Sequence, residues 1–167
     1  MLSQPKVSYR HDGLTLRRRF RHGPETMFAA FSDPELLACW WGPPACPIVE
    51  MSLDFRPGGI WHYCTRSTRT AVRVWSRAVF IDIRPGRRIV FRETSSNVHG
   101  DITTDRAPST VTVELVPIRE GTEVVIDVRH LDELELRRAM DRGVVDGLSR
   151  ALDQLGYLLD REGISNE

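Results

Sequence analysis

The sequence predicts an α+β fold, a curved antiparallel sheet of about seven strands wrapped around a long C-terminal helix, with two short helices after strand one. Three observations predict it. Apolar and polar residues alternate in short runs as far as Val128, apolar residues recur at three and four residues from Met140 to Leu159, and proline and glycine punctuate the segments between. A chain of 167 residues suits one domain, 1–167 with its core at about 14–159, in which folding buries about 70% of the unfolded chain's surface.

Leu14, Leu16, Arg18 and Phe20 alternate with Thr15, Arg17, Arg19 and Arg21, the period of a strand with one wet face. Pro24 stands where a first helical turn tolerates it, and Met27, Phe28 and Phe31 give that helix an apolar face before Ser32-Asp33-Pro34 interrupts. A second helix runs from Pro34 to about Ala38, stopped by Trp40-Trp41-Gly42-Pro43-Pro44. Val49, Met51, Leu53 and Phe55, then Trp61 and Tyr63, read as a hairpin joined at Arg56-Pro57-Gly58-Gly59. A long strand spans Ala71 to Ile83, and Arg84-Pro85-Gly86 turns it into Arg88 to Glu93. Thr94 to Ser109 is polar and reads as one long loop. Val111, Val113 and Leu115, then Val124, Ile126 and Val128, make the last hairpin across Glu120-Gly121.

The terminal helix carries Met140, Val144, Leu148, Ala151, Leu152, Leu155 and Leu159 on one face. Asp132 and Glu135 offer a cap for an early start, and Arg137 is the alternative beginning. Gly143 and Gly147 each cost about 1 kcal/mol against alanine in a helix interior, so they imply a bend or a close approach to the sheet.

Composition excludes several function classes. The 23 basic residues balance 23 acidic ones, so no net positive field gathers nucleic acid or an anionic membrane. Arg17, Arg18 and Arg19, with Arg66, Arg69 and Arg73, read as a solvated sheet face rather than an anion site, and the aromatic interleaving of a single-strand platform is missing. Cys39, Cys46 and Cys64 lack CxxC spacing and cannot all pair, which points to reduced thiols, no metal site and a cytoplasmic location. No window reaches the roughly 20 apolar residues of a membrane span, so no membrane insertion is expected.

A strand, two short helices, six strands and a long terminal helix is the order of the helix-grip fold. The chain resembles the START-like superfamily, in the branch named after the homologue of the activator of the heat-shock-protein-ninety ATPase. The resemblance rests on Phe20 and Pro24 leading to Phe28, Ala29 and Phe31; on Trp40-Trp41-Gly42-Pro43; and on Asp54, Arg56, Pro57, Gly58, Gly59 and Trp61. It continues through Ile83-Pro85, Arg88-Ile89-Val90-Phe91, Gly121-Thr122 and Gly147 to Leu155. The resemblance implies an apolar cavity between sheet and helix. Members of the branch commonly carry Gly-Trp in the terminal helix where this chain has Gly147-Leu148, and residues 1 to 13 cannot supply the extra amino-terminal domain of the eukaryotic co-chaperone.

An empty cavity of about 300 Å³, at roughly 24 cal/mol per Å³, costs on the order of 7 kcal/mol, so a void of that size argues for a ligand. The candidate lining is Trp41, Phe55, Trp61, Tyr63, Trp75, Phe91, Val113, Met140, Val144, Leu148 and Leu152, each of which also reads as ordinary core. Trp61 and Trp75 are the stronger pocket candidates, since each brings a large apolar ring and one donor. Phe20, Phe28 and Phe31 read as core.

Acid–base candidates are His62, Glu50, Asp54, Tyr63, Arg73 and His130, although strand parity turns Glu50, Asp54 and His62 outward and Asp54 pairs with Arg56 across the turn. No hydrolase triad order, HExxH, Walker loop or dinucleotide fingerprint occurs. The expectation is therefore a cytoplasmic bacterial protein that binds a small hydrophobic or amphipathic molecule, without cofactor and without catalysis. The alternatives are a cyclase or hydratase of an aromatic or polyketide-like substrate, marked by a cavity-facing polar group of shifted pKa, and a chaperone-regulating stress-response protein, marked by a large apolar patch outside the cavity. Exposed strand edges also allow a homodimer.

Overall fold

Backbone pairing follows the alternation of the sequence. The computed structural model describes residues 4–164, and the strands within them are β1 (Lys6–Arg10), β2 (Gly13–Phe20), β3 (Ile48–Leu53), β4 (Ile60–Arg66), β5 (Arg73–Arg84), β6 (Arg88–Ser96), β7 (Ser109–Ile118) and β8 (Gly121–Arg129). They form one antiparallel sheet in the order β1-β2-β8-β7-β6-β5-β4-β3. The helices are α1 (Pro24–Ser32), α2 (Pro34–Trp40), α3 (Glu133–Asp141) and α4 (Val144–Ile164). No helix among the described residues is long and apolar enough to cross a membrane.

The sheet has eight strands rather than about seven. The additional one, β1, lies at the sheet edge and pairs with β2 from Lys6↔Arg17 to Arg10↔Gly13. Gly13 permits this hairpin to close onto β8, because a Cβ there would lie 2.4 Å from the Val128 carbonyl oxygen. Arg10 then pairs with Asp127 of β8, its Nη2 donating to Oδ2 at 3.0 Å while the Thr15 hydroxyl donates to Oδ1 at 2.8 Å. Burial pushes the Asp127 pKa up, but hydrogen bonds from Arg10 and Thr15 and the charges of Arg10 and Arg129 outweigh it and leave the carboxyl below its usual range. A depressed folded-state pKa gives stability that is present above the unfolded value and lost as pH falls through the folded one. Asp127→Asn is therefore expected to cost about 1–2 kcal/mol at pH 7, with the difference from the native chain shrinking below about pH 4. Urea titrations at pH 7 and pH 3 check it.

Inward residues of the strands and one face of α4 make a single core. Leu14 and Leu16 of β2, Trp61 of β4, Phe91 of β6, Val113 of β7 and Ile126 of β8 are buried with Ala151, Leu152, Leu155 and Leu159 of α4. Helix α1 packs on β7 and β8, and α2 on β3 and α4. Asp33 caps α2 by accepting from the Glu35 amide at 2.9 Å, and the helix runs to Trp40, two residues beyond the expected stop.

The expected terminal helix is two helices. Asp132 caps the first, accepting from the Glu135 amide at 2.9 Å, so the early start is the one adopted. Gly143 then takes φ +86°, a left-handed conformation that ends α3 and allows α4 to begin in a new direction. Gly147 makes no close approach to the sheet; a Cβ on it would meet only Pro43 Cγ, at 4.0 Å. The long loop is shorter than expected, because β6 extends to Ser96 and an isolated bridge joins Ser96 to Ile102.

Candidate functional site

The inward faces of β4 to β8 diverge from the α3–α4 junction and leave a half-enclosed pocket of about 590 Å³. Its apolar walls are Trp41, Val74, Val111, Val128, Ala139, Val144 and Leu148. Polar side chains converge on it from β4, β6, the 97–108 loop and the residue after β8, among them Tyr63, Glu93, Ser95, Asp105, Arg106 and His130, with Arg142 at the exposed rim. Apolar walls with a few convergent polar groups distinguish this space from the depression between β2 and α4, which is lined by the Arg18–Asp153 ion pair and by His22 hydrogen-bonded to Asp160.

At the sheet side, three residues form a hydrogen-bonded chain. Trp41 Nε1 donates to the Tyr63 hydroxyl at 3.2 Å, and that hydroxyl donates to Glu93 Oε1 at 2.9 Å. Burial raises the Glu93 pKa above its ordinary value, opposed by the positive charge of Arg106 and by hydrogen bonding from Tyr63 and Ser76. Burial and the neighbouring Glu93 charge push the Tyr63 phenol well up, so it is a donor and not a phenolate at neutral pH. Arg106 anchors the loop: its Nη2 donates to Ser76 Oγ at 3.0 Å and to the Trp75 carbonyl at 3.4 Å. On the other side, burial and then the Arg142 charge lower the His130 pKa, which keeps the imidazole neutral at pH 7.

Of the residues expected to line a cavity, Trp41, Tyr63, Val144 and Leu148 meet at this pocket. Trp61, Phe91, Val113 and Leu152 lie in the core beside it, with Trp61 stacked on Tyr63 at a centroid distance of 4.5 Å. Phe55 packs instead between Phe28 and Phe80, at 5.6 and 5.0 Å. Trp75 stands on the opposite face of the sheet, because Ser76, Ala78 and Phe80 take the inward positions of β5. There its ring stacks on His62 at 4.6 Å, and His62 Nε2 meets the Asn97 carbonyl at 3.0 Å. Met140 is 41% exposed and does not line the pocket, since the break at Gly143 resets the phase of the helical face.

Among the acid–base candidates, Tyr63 and His130 line the pocket. Arg73 pairs with Glu50 at 2.9 Å and Asp54 with Arg56 at 2.8 Å, both on the surface. The arginine run on β2 divides by parity. Arg17 and Arg19 reach Glu123 on the wet face, whereas Arg18 is not solvated: it is 3% exposed and bonds Asp153 of α4. Cys39, Cys46 and Cys64 are unpaired, and no group of three or more His, Cys, Asp or Glu side chains among the described residues is arranged to hold a metal ion.

Glu93 and Arg106 are among the pocket residues that sequence reasoning missed, together with Ser95, Asp105, Val111 and Val128. Glu93 had a signal: Ile89, Phe91 and Glu93 share one face of β6, so the parity that buries the first two turns the carboxylate inward. Arg106 lies in an irregular loop and carries no periodic signal.

A family model described as Activator of Hsp90 ATPase homolog 1-like protein matches residues 21–160. No curated protein matches the chain. A crystal structure from Mycobacterium smegmatis is 22% identical over 95% of this chain and 97% of its own, with a TM-score of 0.84. A solution structure from Arthrobacter aurescens is 21% identical over 93% and 91%, with a TM-score of 0.86. A crystal structure from Silicibacter pomeroyi, named for the same family, is 26% identical over 90% and 99%, with a TM-score of 0.72.

Proposed function

We propose, from the premise that this chain belongs to the activator of Hsp90 ATPase homologue 1-like family, that it is a cytoplasmic protein binding a small amphipathic molecule in the pocket at the α3–α4 junction. The observation that carries this reading is the Trp41–Tyr63–Glu93 chain at one end of a space whose other walls include Val111, Val144 and Leu148. A site that only filled the core would place aliphatic side chains there, since burying a carboxyl costs several kcal/mol without a compensating partner. A ligand with an apolar body and one polar end matches both parts of the wall.

Leu148 supplies the test. It lines the pocket from α4 at the place where the family commonly carries tryptophan, so Leu148→Trp is expected to fill the space from the helix side. Native mass spectrometry of protein from its own host, with thermal-shift screening of apolar probes, is expected to show a bound mass or a stabilising probe. The variant should fold and lose at least about tenfold in probe affinity, a 1.4 kcal/mol change. Absence of any bound species or probe, or full binding by Leu148→Trp, would sink the reading. The raised Glu93 pKa beside Tyr63 favours a second reading, acid–base turnover of a bound substrate, and a changed ligand mass after the same incubations would report it.

A further inference from the structure

We propose that the polar end of this pocket is built for an ammonium group, an amphipathic amine whose cation rests on the Glu93 carboxylate beside Trp41 and Tyr63 while its apolar body lies along Val111, Val144 and Leu148. The inference rests on the ligand-binding reading above and adds the chemical class of the ligand. Three features of the site carry it.

Glu93 is a carboxylate that accepts hydrogen bonds but has no ion pair. Its Oε1 accepts from Tyr63, and no lysine or arginine among the described residues forms an ion pair with it. The cation that influences it, Arg106, directs its Nη2 to Ser76 and to the Trp75 backbone. A half-buried carboxylate without an ion pair is destabilised, and a ligand ammonium supplies the missing charge together with a charge-assisted hydrogen bond. Burial raises the Glu93 pKa even though the Arg106 charge opposes it.

The neighbouring walls are aromatic. Trp41 and Tyr63 line the pocket next to the carboxylate, and an ammonium beside such rings gains about 0.5–2 kcal/mol from the ring quadrupole. The Tyr63 hydroxyl spends its one proton on Glu93 and accepts from Trp41, so it holds the carboxylate in place.

The remaining charges sort a ligand by end. Asp105 adds a second acidic side chain to the loop wall, while His130 and the exposed Arg142 lie on the α3 side. An anionic head at the Glu93 end would face a carboxylate, with the Arg106 guanidinium there held on Ser76 and the Trp75 carbonyl; the exposed Arg142 offers it a cation at the rim.

Three probes of one shape decide it: 2-phenylethylamine, 2-phenylethanol and 3-phenylpropanoate, titrated by NMR into the full chain. At pH 8 the amine is expected to bind at least about tenfold more tightly than the alcohol. Glu93→Gln should bring that ratio close to one. Lowering the pH should reduce the ratio in the native chain, because the buried Glu93 takes up a proton at a higher pH than an ordinary carboxylate, and should change it less in the variant. Should Glu93→Gln fail to fold, Tyr63→Phe and the pH dependence of the native chain carry the test. Alcohol binding without amine preference, tightest binding by the carboxylate, or a preference that survives Glu93→Gln would each overturn the ammonium assignment alone. Failure of all three probes to bind would overturn the pocket reading with it.

Discussion

Trp40→Ala is expected to lower stability by about 3–5 kcal/mol, the range for removing a fully buried large side chain. Trp40 is 0% exposed, its Nε1 donates to the Ala30 carbonyl at 2.9 Å, and its ring meets Phe31 edge-on at 4.9 Å. It joins α1 to α2, and Gln154 of α4 donates to its carbonyl at 3.2 Å, so the loss reaches three helices. Against a typical domain stability of 5–15 kcal/mol, the thermal midpoint should fall by about 10 °C or more. Trp75→Ala should cost much less, because that ring is only partly covered on the outer face. Urea and thermal denaturation of both variants check the contrast, and equal losses would show that the α1–α2 anchor is weaker than its burial implies.

Gly59→Ala is the second large effect, on the order of 3 kcal/mol. A Cβ at Gly59 would stand 2.0 Å from the Asp54 carbonyl oxygen and 2.9 Å from that of Arg56, so backbone must move. The movement would strain the links of the turn to β5, where the Gly58 amide donates to Phe80 O at 2.7 Å and the Phe80 amide to Gly59 O at 3.0 Å. Its neighbour has a different requirement. Gly58 takes φ +79° with nothing within 4 Å of a Cβ, so Gly58→Ala pays only the left-handed conformation, about 1–2 kcal/mol. Chemical denaturation of the two variants separates a steric demand from a conformational one. The adjacent Asp54–Arg56 pair, more than half exposed on both sides, adds at most a few tenths of a kcal/mol.

Most of the sheet was legible because one face is buried and the other wet, which imposes a period of two on β2, β4, β7 and β8. β1 was not, since an edge strand packs little on either side and Val7 and Tyr9 alternate without a buried face. The α3–α4 break was hidden for a related reason: 3.6-residue periodicity runs on from Met140 to Val144, and only the left-handed dihedral of Gly143 separates them. That one dihedral turned Met140 outward while Val144 and Leu148 stayed at the pocket. Trp75 failed on parity, because Val74 and Trp75 cannot both face inward and Val74 does. The polar end of the site was partly legible through Glu93 on the Ile89–Phe91 face; Arg106 and Asp105, held in an irregular loop, were not.

The sorting of indoles across the sheet has an optical consequence. Trp40, Trp41 and Trp61 form a chain of edge contacts at 5.5 and 5.3 Å, while Trp75 lies alone on the far side against an imidazole. Three chromophores at van der Waals separation couple their transitions, so the native chain should carry an exciton couplet in circular dichroism that vanishes on unfolding. A molecule bound beside Trp41 is expected to perturb that trio and alter the couplet.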